Sequence, residues 1–149
     1  MLTKTLQQLF KRDLEKLKVE IESYRDEKKL WHVEKSIPNS AGNLCLHLIG
    51  NLNHFIGAEF GKTGYVRDRP LEFSDKNVPR EILIQKINET INVVDMSIGK
   101  LTESQLQQDY PVIVFADKMS NEFFLVHLAA HLSYHLGQIN YHRRLLDTN

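Results

Sequence analysis

The chain has 149 residues, of which 42% are hydrophobic and 26% charged, a balance that supports one buried core and argues against disorder. Lys plus Arg and Asp plus Glu number 19 each, so no overall field draws the chain to nucleic acid or anionic lipid. The single cysteine, Cys45 in LCLHL, excludes an internal disulfide and reads as a buried, reduced thiol.

Leu2, Leu6, Leu9, Leu14, Leu17 and Ile21, with Phe10 relieving the one gap of five, predict an amphipathic first helix. Charges interrupt this N-terminal stretch, so it lacks the apolar region of a secretory signal, and no apolar run approaches the ~20 residues that span a bilayer. A cytoplasmic location is the expectation. Pro38, Asn39, Ser40 and Gly42 then break the chain. From about Leu44 to Phe60 a second helix is expected, apolar around most of its circumference and so buried on more than one side. Residues 61–77, with Gly61, Gly64, Pro70 and many charges, read as a long loop without helical period. Its Arg67, Asp68, Arg69 and Glu72 read first as solvated surface or a dimer contact, and second as a cover for a metal or an anion site.

Pro79 suits the first turn of a third helix, with Asn77 or Asp75 as its cap. Ile84, Ile87, Ile91, Val94 and Ile98 form its core stripe, and Gly99 closes it. Thr102 and Gln105 fit a capping box on a short helical turn. DYPVIVFADKMS is strand-like but has no partner strand, so an extended connection is expected. Ser120 or Asn121 caps a last helix running to about Leu146. The predicted fold is all-α: one domain over 1–149, with four long helices and two long crossover connections.

Four of the seven histidines fall in VHLAAHLSYHLGQINYHRR. At about 100° per residue, His127, His131, His135 and His142 line one edge of the apolar face, with His135 expected deepest. Histidines at i and i+4 lie about 6 Å apart and can hold one ion, whereas about 12 Å of rise separates His127 from His135. The inward pair His131 and His135 is therefore the expected chelate. The second helix offers His47 or His54, about 10 Å apart along the axis, so only one can complete a set. His47, in the continuous apolar run, is the choice; His54 lies nearer the helix end. His127 and His142 are expected to support the site, line a pocket or face solvent, and His32 carries no signal.

Three neutral imidazoles suit zinc, nickel, iron or copper, and they leave coordination positions open, the pattern of a catalytic site. Such ligands need acceptors on their other nitrogen, and Asn51, Gln138 and Glu59 are the nearby candidates. Absent motifs narrow the chemistry. The sequence has no HExxH, Glu-x-x-His, phosphate-binding glycine loop, GxSxG or cysteine-pair zinc motif.

HLIGNLNHFIG, GYVRDRP and above all the HxxxHxGQ segment within HLAAHLSYHLGQINYHRR resemble the DinB-like superfamily, which includes YfiT-like and thiol-transferase branches. The resemblance covers nearly the whole chain and lies closest to an uncharacterised branch. It implies an up-up-down-down four-helix bundle, often a homodimer. It also implies a divalent ion, zinc or nickel with iron or manganese as further candidates, on the positions matching His47, His131 and His135. Characterised relatives are metal-dependent transferases or isomerases that use low-molecular-weight thiols such as bacillithiol, mycothiol or glutathione. The expectation is an ion that activates such a thiol for attack on a small electrophilic substrate. The alternatives are a hydrolase working through metal-bound water, or a non-catalytic, dimeric metal-binding bundle. Neither nucleic acid nor membrane is an expected partner. Gly137, inside the last helix, is expected where a neighbouring helix or subunit approaches closely.

Overall fold

In the computed structural model, which describes residues 1–148, the apolar stripes of the sequence become the packed faces of helices. Helix α1 (Leu2–Ser23) buries Leu6, Phe10, Leu14, Leu17 and Ile21, so Phe10 takes the core position and Leu9 is only half-buried. Helix α2 (Ala41–Leu52) continues through a wider π-helical segment, Asn53–Ala58. Then come α3 (Arg69–Ser74), α4 (Arg80–Gly99), α5 (Glu103–Gln107) and α6 (Asn121–Leu146). A 3-10 turn, Glu27–Trp31, follows α1. Among the described residues there is no strand, only the isolated bridges Glu34–Ile37 and Asp109–Ser120, and no helix is long and apolar enough to cross a membrane.

Helix α1 packs along α4 and α6, and α2 packs against α3, α4 and α6, so the core lies between the long helices. Leu83, Ile87, Ile91, Val94 and Ile98 form the buried stripe of α4, with Leu83 rather than Ile84 at its head. Cys45 is fully buried, and desolvation pushes its thiol up to about 12, which keeps it protonated and inert.

Several boundaries differ from the sequence expectation for local reasons. The second helix begins at Ala41, not Leu44, because the Ser40 hydroxyl accepts the Asn43 N–H at 3.1 Å. Gly42 lies inside that helix: the Trp31 ring packs so closely that a Cβ there would stand 2.7 Å from it. Residues 61–77 are not a plain loop, since α3 folds within them, with the Asp68 carboxylate accepting the Leu71 N–H and Pro70 in the first turn. Neither Asn77 nor Asp75 caps α4; Pro79 occupies that position without a side-chain bond, and Asn77 has φ +59°. The capping box of α5 is present, and Ser120 caps α6.

His142 lies in the core, away from the other α6 histidines. Its Nε2–H donates to the His32 carbonyl at 2.8 Å, and its Nδ1 accepts the Tyr24 hydroxyl at 2.6 Å. Burial lowers its pKa, so a neutral imidazole ties α6 to α1 and to the turn that follows it. Tyr24→Phe leaves that nitrogen buried without a donor. It is expected to lower the unfolding free energy by about 1–3 kcal/mol, measured by urea denaturation.

Candidate metal centre

Three imidazoles from two helices converge on one point. His47 projects from the buried stripe of α2, and His131 and His135 project one turn apart from α6. One ligand atom of each lies within 4.8 Å of the other two. The His131 Nε2 stands 3.3 Å from His47 Nε2 and 3.1 Å from His135 Nε2. A tetrahedral ion about 2.0–2.1 Å from each nitrogen sets its ligands about 3.3–3.4 Å apart, so the spacing fits one ion.

The outer nitrogens decide the tautomers. His47 Nδ1 lies 3.0 Å from Glu72 Oε1, and His135 Nδ1 lies 2.7 Å from Gln138 Oε1. Both partners are acceptors, so both Nδ1 atoms carry the proton and both Nε2 atoms are bare lone pairs. Two lone pairs thus face a third nitrogen, and a proton on His131 Nε2 serves only one of them well. A cation serves all three, so the donor set fits the group.

Glu72 is buried and accepts three bonds, from His47, from Arg67 Nε at 2.8 Å and from Arg67 Nη2 at 3.0 Å. Arg67 Nη2 also stands 3.4 Å from His47 Nδ1, but both atoms are donors, so this is proximity and not a bond. Close approach of α3 to α2 depends on Gly50, where any Cβ would overlap the Glu72 carboxylate. Asn43 Nδ2 pins the same segment to α2 through the carbonyls of Glu72, at 2.9 Å, and Asp75, at 2.8 Å.

Desolvation, reinforced by the neighbouring histidines, lowers the His131 pKa to about 4. Desolvation also lowers His47, opposed by Glu72. Both rings are neutral near pH 7, the form that ligates. His131, not His135, is the more deeply placed, with its Nδ1 buried and unpartnered, as is Asn51 Oδ1. The helical wheel ranks rotation about an axis and says nothing of which elements cover each level.

The cluster forms one wall of a cavity of about 610 Å³. Phe55, Phe73, Phe115 and Phe124 line it with Arg67, Arg69 and His127. His127 stacks on Phe124 at 6.1 Å between centroids, so it is pocket lining as one of its expected roles had it. His54 sits outside the cluster against Phe55, and Glu59 pairs with Lys62, away from the ligands. Of the three candidate acceptors only Gln138 is bonded to a cluster imidazole. The sequence reading missed Glu72 as the partner of His47. Asp68 followed by Pro70, a helix-start pair, and Gly50 in an apolar helix were its signals. Gly137 has no atom within 4 Å of a Cβ built on it, so no neighbouring helix approaches it.

A family model described as "Protein of unknown function (DUF1572)" matches residues 2–149, and the chain belongs to that family, which is grouped in the DinB/YfiT-like clan. No curated protein matches the chain.

Glu72→Ala leaves the Arg67 guanidinium and the His47 N–H buried without an acceptor. It is expected to cost about 3–5 kcal/mol in denaturant unfolding, with Glu72→Gln costing less. The histidine pKa values set a pH dependence for the chelator-treated protein. His131 falls from 6.5 to about 4 on folding, so its stabilising contribution is complete above about 6.5 and is lost as pH drops toward 4. His47 and His142 shift in the same direction. Unfolding free energy measured between pH 7 and 4 is expected to fall, and less steeply in His131→Gln.

Proposed function

We propose that this family member is a metal-dependent enzyme in which His47, His131 and His135 hold one divalent ion, zinc or nickel ahead of iron or manganese. On this reading it transfers a low-molecular-weight thiol to a small electrophile. The observation that carries the proposal is the convergence of the three Nε2 atoms at 3.1 and 3.3 Å, with tautomers set by Glu72 and Gln138. A bound ion supplies Lewis-acid chemistry, lowering the pKa of a thiol or a water placed on it.

The chain's own residues do the rest. Glu72 holds the His47 ring and its proton, leaving Nε2 free to ligate, and Gln138 does the same for His135. Phe55, Phe115 and Phe124 provide apolar walls that limit water around a reacting thiolate, and the cavity admits a small molecule beside the ligands. A hydrolase would use the same ligands with water in place of the thiol. An open cavity beside three ligands favours chemistry over a closed structural site.

We assign the four long helices to an up-up-down-down bundle, with α1 and α2 on one diagonal. The support is that each packs on both α4 and α6 and little on the other. We also assign a homodimer. The outward face of α6 exposes Phe123 at 61%, Tyr134 at 66%, Tyr141 at 61% and Leu145 at 59%, around the open Gly137.

The test is elemental analysis with a thiol panel. The native chain is expected to carry about one divalent ion and, with that ion, to accelerate addition of glutathione, bacillithiol or cysteine to a generic electrophile. His47→Ala, His131→Ala and His135→Ala are each expected to lower metal affinity by at least 10–100-fold. Unchanged stoichiometry in all three variants overturns the ligand set. Full occupancy without acceleration by any thiol overturns the thiol-transfer reading and leaves the hydrolase and the non-catalytic bundle.

A further inference from the structure

The cavity beside the three histidines has an electrostatic bias that the chain as a whole lacks. Net charge over the sequence is zero, yet no Asp or Glu lines this cavity, while Arg67 and Arg69 do. Arg67 is committed, both of its bonded nitrogens being held by Glu72. Arg69 is not. It is exposed, and among the described residues no carboxylate lies within ion-pair distance of it. The acids beside it in sequence are occupied: Asp68 accepts the Leu71 N–H at the start of α3, and Glu72 holds Arg67 and His47.

The Arg69 guanidinium has a fixed platform. Its Cζ lies 5.4 Å from the centroid of Phe73, and the Phe73 ring lies 5.1 Å from that of His47. The Phe73 ring is therefore in contact both with a free cation on the cavity lining and with one of the imidazoles that converge there. A guanidinium stacked on a ring loses little freedom when it binds a planar anion, and it meets a carboxylate with two parallel donors.

We propose that Arg69 is a specificity residue for a ligand bearing a carboxylate, joined to its reacting end by a flat or short apolar spacer. The inference rests on the same cavity being the substrate chamber, and it names the class of ligand that chamber takes. Either the thiol or its electrophilic partner can bring the carboxylate.

Matched acid and amide pairs test this by calorimetric titration of the full chain, once with zinc added and once after chelation. Cinnamate against cinnamamide represents the electrophile, and 3-mercaptopropionate against 3-mercaptopropionamide represents the thiol. At least one acid is expected to bind about ten-fold more tightly than its amide, and the pair that shows it identifies the source of the charge. Arg69→Gln is expected to abolish that preference while amide affinity, zinc content and melting temperature stay unchanged. Arg69→Lys is expected to retain part of it. Equal binding of acid and amide in both pairs overturns the proposal, as does a preference that survives in Arg69→Gln; one that survives only with zinc assigns the anion to the ion instead. Loss of zinc binding alone bears on the ligand set and not on Arg69, because the chelated arm reads the preference separately.

Discussion

One buried carboxylate carries the arrangement around the three histidines. Glu72 takes two bonds from Arg67 and one from His47, with its side chain almost fully enclosed. A carboxylate and a guanidinium removed from water hold together because each satisfies the other, and separating them exposes a bare charge to a low-dielectric interior. The segment between α2 and α4 therefore folds down onto α2 as α3, and Gly50 leaves the space it needs. Because Glu72 accepts only, it also fixes the proton on His47 Nδ1 and turns the lone pair of Nε2 toward α6.

The two helices hold their histidines with unequal firmness. His47 is buried and braced by a buried ion pair, whereas His135 is half-buried and leans on Gln138, an exposed side chain. Between them, His131 is desolvated without a partner on its outer nitrogen. The cluster is thus enclosed on the side of His47 and more open on the side of His135.

The widened turn at the end of α2 shapes the remaining wall. Asn53 Nδ2 donates to the Ile49 carbonyl at 2.8 Å and to the Thr90 hydroxyl at 2.9 Å, anchoring the π-helical segment to α4. Beyond it, Phe55 meets Phe124 edge to face at 5.1 Å and lies 5.6 Å from the Arg67 guanidinium. The Tyr110 hydroxyl donates to the Phe55 carbonyl at 2.8 Å, which draws the connection before α6 onto the same wall. Such π-helical turns cost backbone geometry and recur where a side chain must be re-aimed near a site.

The sequence by itself determined the all-helical class, most of the core stripes of α1 and α4, the capping box at Thr102, a cap at Ser120 or Asn121, and the grouping of His47 with His131 and His135. All but the choice of His47, which rests on its apolar run and on the resemblance, are local or periodic properties: spacing along a helix sets which residues share a face, and a cap is read within three residues. Tertiary structure alone decided the role of Glu72, the withdrawal of His142 into the core with Tyr24, and the position of Arg69 over Phe73. Those outcomes depend on which elements cover which, and residues distant in sequence met there because burying a charge or a polar ring requires a partner wherever the fold can supply one.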